Sequence, residues 1–224
     1  MFFDELLSDF YEKIGPGFRQ SRIGGQICYT QVTYSFEHKE IWRPVGYDGT
    51  QTSVTEFHVS TAAGDAYNRR QPLATPKLET NEEFPVVRAK RRPVIVIKTA
   101  PDPPPVKALP GGSRLNWPLA IVAPCYSVVG PMRRAKYPTE FIERVRRLEF
   151  PEVFFLPEEA GALDQDSLLP LYRLTNAYQS HLEPSEWKLK EPVLRVLQGQ
   201  VRFYLTGEYA GDYRSAREML LHPQ

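Results

Sequence analysis

At 224 residues, with 42% apolar side chains and 12 Phe and 12 Tyr, the chain is long enough to bury one sizeable core. A net charge of +1 excludes a globally basic nucleic-acid binder, but the charge is unevenly laid out. Thirteen Lys/Arg stand against six Asp/Glu from Asn81 to Phe150, and five acids with no base follow from Pro151 to Pro170, so a local basic face beside an acidic lip is expected.

Cys28 and Cys125 lie in apolar, strand-like runs and read as buried small hydrophobes rather than a disulfide. The four scattered histidines add no metal-ligand spacing, and no cofactor is expected. The acidic opening MFFDELLSDFYEKIG lacks the basic start of a signal peptide. No apolar run approaches the roughly 20 residues of a membrane span, so a cytoplasmic protein is expected.

Phe2, Phe3, Leu6, Leu7, Phe10 and Ile14 form one helical stripe, which predicts a helix over residues 2–14, stopped by Gly15-Pro16-Gly17. Residues 27–36, rich in Val, Tyr and Thr, predict a strand. From Arg43 to Glu83 the pattern breaks up around one strand-like VTEFHVS, which reads as an insertion. Two β-branched runs then flank the basic AKRRP, and VIVIK has the apolar continuity of a central strand. Five prolines and two glycines make residues 101–113 a loop.

WPLAIVAPCYSVV predicts a second buried strand, Pro138 a helix start, and EVFFLP another strand. SLLPLYRLTNAY reads as a strand interrupted at Pro170. Residues 191–205 predict an amphipathic helix with Pro192 in its first turn and Gly207 as its C-cap, and residues 212–221 a shorter one.

Four landmarks occur in a telling order. Gly25-Gln26-Ile27 leads a first strand, and Arg92-Pro93-Val94-Ile95-Val96-Ile97 opens a second. Ala120-Ile121-Val122-Ala123-Pro124-Cys125-Tyr126-Ser127 ends a third, and Asp166-Ser167-Leu168-Leu169 runs on to Leu174-Thr175-Asn176-Ala177-Tyr178. With the terminal helix, this order over about 84–208 plus the 25–36 strand resembles the PemK/MazF family of bacterial toxins. The resemblance implies a mainly β (α+β) fold, an SH3-like partly open β-barrel. The chain would then be a single domain with an N-terminal helix at 1–16, a large insertion at 43–83, the barrel and a helix at 84–208 and a tail at 209–224. It also implies a homodimer, an antitoxin partner and metal-independent cleavage of single-stranded RNA by attack of the ribose 2′-OH.

Arg92 matches the family's phosphate-contacting arginine, whose fixed fork of donors suits a phosphorane. Lys90, Arg91 and Lys98 would add attraction for the RNA backbone. Tyr126 stands where the family has Thr, followed by Ser127, and these two complete the expected catalytic set. A phenol can donate a hydrogen bond to phosphate or stack a base. Thr175 and Asn176 stand at the family's R-T positions and Tyr178 at its Asp, so charges found there in the family are absent. Trp117, Tyr126 and Tyr137 offer candidate stacking platforms. The alternative is a non-catalytic barrel that binds nucleic acid or an antitoxin.

Overall fold

The computed structural model describes residues 1–7, 9–34, 39–47, 55–61, 85–99, 118–130, 132 and 134–222. They divide into two compact units, Gln31–Lys90 and the remainder, Met1–Thr30 with Arg91–Gln224. Both are built on antiparallel strands, and with the helices they give an α+β chain. No helix among the described residues is long and apolar enough to cross a membrane.

The smaller unit holds β3 (Glu40–Tyr47), β4 (Thr55–Thr61) and β5 (Pro85–Val86) in one sheet, ordered β4-β3-β5. β4 matches the expected VTEFHVS strand. β3 is unexpected from sequence, because Pro44 interrupts it, and the ladder absorbs the proline with a register shift between Pro44 and Gly46. The rest of the 43–83 excursion, like the 101–113 loop, lies outside the described residues.

The larger unit begins with α1, which spans only Phe3–Leu6. The helix expected to run to residue 14 stops there, and Tyr11–Lys13 forms strand β1 instead. Its ladder pairs Tyr11 with Leu189 and Lys13 with Trp187 in β12 (Glu183–Leu189), so tertiary pairing overrides the helical stripe. Phe3 and Phe10 are buried nonetheless, edge-on at 5.5 Å.

Four further strands complete the main sheet: β2 (Gln26–Thr33), β6 (Ala89–Thr99), β7 (Leu119–Pro124) and β11 (Thr175–Tyr178). The order is β1-β12-β2-β6-β7-β11. Gln26, fully buried, fastens β2: its Nε2 donates to Phe18 O and Ser185 O, and its Oε1 accepts from Ile23 N. Val94 to Ile97 are all buried, as the apolar run requires. β6 pairs antiparallel with β7, Val94 opposite Pro124 and Val96 opposite Val122. A bulge then sets Lys98 opposite Ile121.

The second sheet contains β8 (Tyr126–Ser127), β10 (Ser167–Pro170) and β9 (Val153–Leu156), ordered β8-β10-β9. Helix α2 (Thr139–Arg146) packs Val145 against Val153, Phe155 and Leu168. Helices α3 (Glu191–Thr206) and α4 (Gly211–Leu221) close the core, with Val193, Leu197 and Tyr213 fully buried. Gly207 adopts φ +75° and caps α3, donating to Phe203 O at 2.8 Å. Cys28 and Cys125 are both free and buried. Burial pushes the Cys28 thiol up to about 11 against a smaller opposing pull from Arg22.

Candidate functional site

The strand ladder itself places the first pair of residues. Val94 lies opposite Pro124, and Cys125 N donates to Pro93 O at 2.9 Å. Continued by two residues, that register sets Arg92 across from Tyr126. The side chains meet: the Arg92 guanidinium lies 4.5 Å from the centre of the Tyr126 ring.

Tyr126 belongs to β8 and pairs with Leu168 of β10. β10 ends at Pro170, whose fixed φ and missing N–H end the ladder, and a 3₁₀ turn follows over Leu171–Arg173. Leu171 is buried and donates through its N–H to Glu152 O at 2.8 Å, which anchors the turn. The turn brings Arg173 back to Tyr126. Its Nη1 donates to Tyr126 Oη at 2.9 Å, and its guanidinium lies 4.8 Å from the same ring centre. Burial pulls the Arg173 pKa down, but the bond to Tyr126 and the nearby phenols of Tyr172 and Tyr137 outweigh it, and the guanidinium ends above its ordinary value.

Two guanidiniums on one half-buried tyrosine repel each other, and partial burial weakens water's screening of that repulsion. An anion seated between them relieves it. The fork of donors on each arginine suits phosphate or carboxylate oxygens.

The remaining expected residues occupy other places. Ser127 points away from its neighbour, as strand alternation requires. Its Oγ donates to Val129 O at 2.8 Å, contacts Gln165 Oε1, and accepts from Val129 N. That hydroxyl is committed to the turn after β8. Arg91 takes the face opposite Arg92, 4.4 Å over the Tyr29 ring, and its Nε donates to Glu183 at 3.1 Å. The Glu183 hydrogen bond raises the Arg91 pKa and, reciprocally, holds the Glu183 carboxyl below its ordinary value.

Lys98 is exposed beside Ile121, six residues along β6 from Arg92 and therefore roughly 20 Å away. Lys90 is exposed in the smaller unit. Tyr137 is half-buried against Phe141 at 5.7 Å. Trp117 lies outside the described residues. Among the described residues no three His, Cys, Asp or Glu side chains gather into a metal-holding group.

Arg173 is the residue that sequence reasoning missed. The family pattern carries its second arginine at the position of Thr175, whereas the 3₁₀ turn delivers one from two positions earlier. The signal lay in the tripeptide Leu171-Tyr172-Arg173 directly after the strand-ending Pro170.

The site therefore consists of Arg92, Tyr126 and Arg173, with Tyr137 and Tyr172 beside it. No protein-family model and no curated protein matches the chain.

Proposed function

We propose that the chain is a PemK/MazF-like endoribonuclease that binds single-stranded RNA at Arg92, Tyr126 and Arg173 and cuts it there. One observation carries this reading: two guanidiniums, at 4.5 and 4.8 Å, share one tyrosine ring whose hydroxyl is held by Arg173 at 2.9 Å. The ordered landmarks support it, with the main sheet and the β8-β10-β9 sheet taken as the faces of an SH3-like, partly open barrel.

In this reading the ribose 2′-oxygen attacks the adjacent phosphorus, and its proton leaves to a solvent base. Arg92 and Arg173 stabilise the doubly charged phosphorane, the interaction that strengthens most on the way to the transition state. The P–O5′ bond breaks, and Tyr126, which accepts from Arg173 and so keeps its own O–H available, donates a proton to the departing oxygen. The products are a 2′,3′-cyclic phosphate and a 5′-hydroxyl, and solvent returns the proton to Tyr126. The reading extends to a homodimer and to an antitoxin partner.

The test incubates purified protein with labelled mixed-sequence RNA in the presence of a chelator. Wild type releases fragments with cyclic-phosphate ends, and Arg92→Ala slows this on the order of 10²-fold or more. Intact RNA from wild type and variant alike sinks the proposal.

A second reading rests on Ser127, whose hydroxyl is already committed to Val129 and Gln165. With that group withdrawn from chemistry, the trio acts as an anion clamp that binds nucleic acid or an antitoxin without turnover. Salt-dependent RNA binding with no fragments favours it.

A further inference from the structure

Tyr172 precedes Arg173 in the 3₁₀ turn and is 50% exposed. Its exposure is built in rather than incidental. Leu171 before it and Leu174 after it pack into the main core, and Leu174 N donates to Leu171 O at 3.2 Å. The turn is thus pinned on both sides, and Tyr172 is held in water next to the Arg173 guanidinium, which lies 5.9 Å from its ring centre. An exposed aromatic on a rigid turn loses little conformational freedom when something stacks on it.

Tyr126 is poorly placed for that task, because both guanidiniums already engage its ring. Tyr137 is half-buried against Phe141. Of the three tyrosines at the cation pair, Tyr172 is the most open to water.

We infer that Tyr172 is the base-stacking platform of the site and receives the unpaired base next to the phosphate held by Arg92 and Arg173. This rests on the reading of those arginines as a phosphate site. Each nucleotide carries its base a short sugar's reach from its phosphate, and Tyr172 stands at that kind of remove from Arg173. Stacking on a tyrosine face tolerates every base, with purines favoured by their larger surface. Tyr172 therefore sets how tightly, more than how specifically, the flanking nucleotide is held.

The test measures binding of a fluorescent, uncleavable 2′-O-methyl oligonucleotide to the full chain by anisotropy. Tyr172→Ala weakens binding roughly tenfold, and Tyr172→Phe, which keeps the ring, binds like wild type. The oligonucleotide is then scanned with single abasic residues. At one position the abasic probe costs wild type the same factor, and Tyr172→Ala loses nothing further, because the contact is already gone.

If Tyr172→Ala loses as much affinity on every abasic probe as on the intact strand, or loses none on any, the platform is overturned. Arg92→Ala and Arg173→Ala are read in parallel for a reduced salt slope. If they show it and Tyr172→Ala is silent, only the stacking role falls. If all three bind like wild type, the phosphate site falls with it. Unchanged melting temperature for Tyr172→Ala shows that any loss is one of binding.

Discussion

Arg173 Nη1 donates to Tyr126 Oη at 2.9 Å, joining two residues that are 47 positions apart in the chain. The bond fixes the phenol on its Arg92 side as well, because the Arg92 guanidinium lies 4.5 Å from the same ring. Tyr126→Phe keeps the ring and removes the hydroxyl. The expected outcome is a fold stability within about 1 kcal/mol of wild type, since one half-buried hydrogen bond is lost, and RNA cleavage slowed on the order of 10²-fold. Urea denaturation and single-turnover cleavage separate the two effects.

Asp4 and Arg146 form a two-pronged ion pair, Nε to Oδ1 at 2.9 Å and Nη2 to Oδ2 at 2.6 Å, with side chains only 13% and 24% exposed. The same guanidinium lies 4.0 Å over Phe2, so it holds the N-terminal turn to α2 from two sides. Asp4→Ala leaves that charge without its partner carboxylate. The expected cost is about 1–3 kcal/mol, seen as a lower urea midpoint at unchanged slope. A shift below about 0.3 kcal/mol means that the pair behaves like an ordinary surface contact.

Gly199 marks the closest approach of α3 and α4. A Cβ placed there meets Tyr213 Cβ at 2.8 Å, and neither helix can yield without moving its backbone. Gly199→Ala gains helix propensity of about 1 kcal/mol, yet the clash outweighs it and the variant is less stable by roughly 1–2 kcal/mol net. Thermal denaturation decides the sign.

Tyr213 is fully buried, and its hydroxyl has no hydrogen-bond partner among the described residues. Burial, aided by Tyr209 and Glu152 and opposed by Arg217, pushes its pKa from 10 up to about 12. Below pH 10 the phenol keeps its proton in folded and unfolded chains alike. Between pH 10 and 12 only the unfolded chain releases it, so Tyr213 costs stability as pH rises, to a total of about 2–3 kcal/mol. Tyr213→Phe removes that part of the alkaline loss and, by deleting an unsatisfied hydroxyl, is neutral or stabilising at pH 7. A steeper alkaline loss in the variant than in wild type contradicts this account.

Some elements are legible in the sequence and others are hidden, for physical reasons. Val94–Ile97 and the α3 stripe stand out because an unbroken β-branched run suits a strand buried on both faces, and a 3.6-residue apolar period suits a helix with one buried side. β12 does not, since EPSEWKL lacks alternation and owes its place to backbone pairing and to Gln26 reaching Ser185 O. The N-terminal stripe fits a helix equally well until Leu189 and Trp187 offer Tyr11 and Lys13 a ladder. Arg92 and Tyr126 are legible as landmarks, and their meeting follows from the β6–β7 register. Arg173 is not, because a 3₁₀ turn has no signature strong enough to predict which side chain it returns to the sheet.

Strict alternation along β6 would turn Lys98 to the side of Val94 and Val96, both fully buried. The extra residue at the bulge lets the lysine reach water instead. Deleting Ile97 evens the ladder but removes a core side chain and the carbonyl that accepts from Gln198 at 2.9 Å. Deleting any residue between Arg92 and the bulge slides the arginine out of step with Tyr126. The segment thus works as a ruler: its residue identities have some latitude, while its length does not, and single-residue insertions and deletions there are the changes that dismantle core and cation pair together.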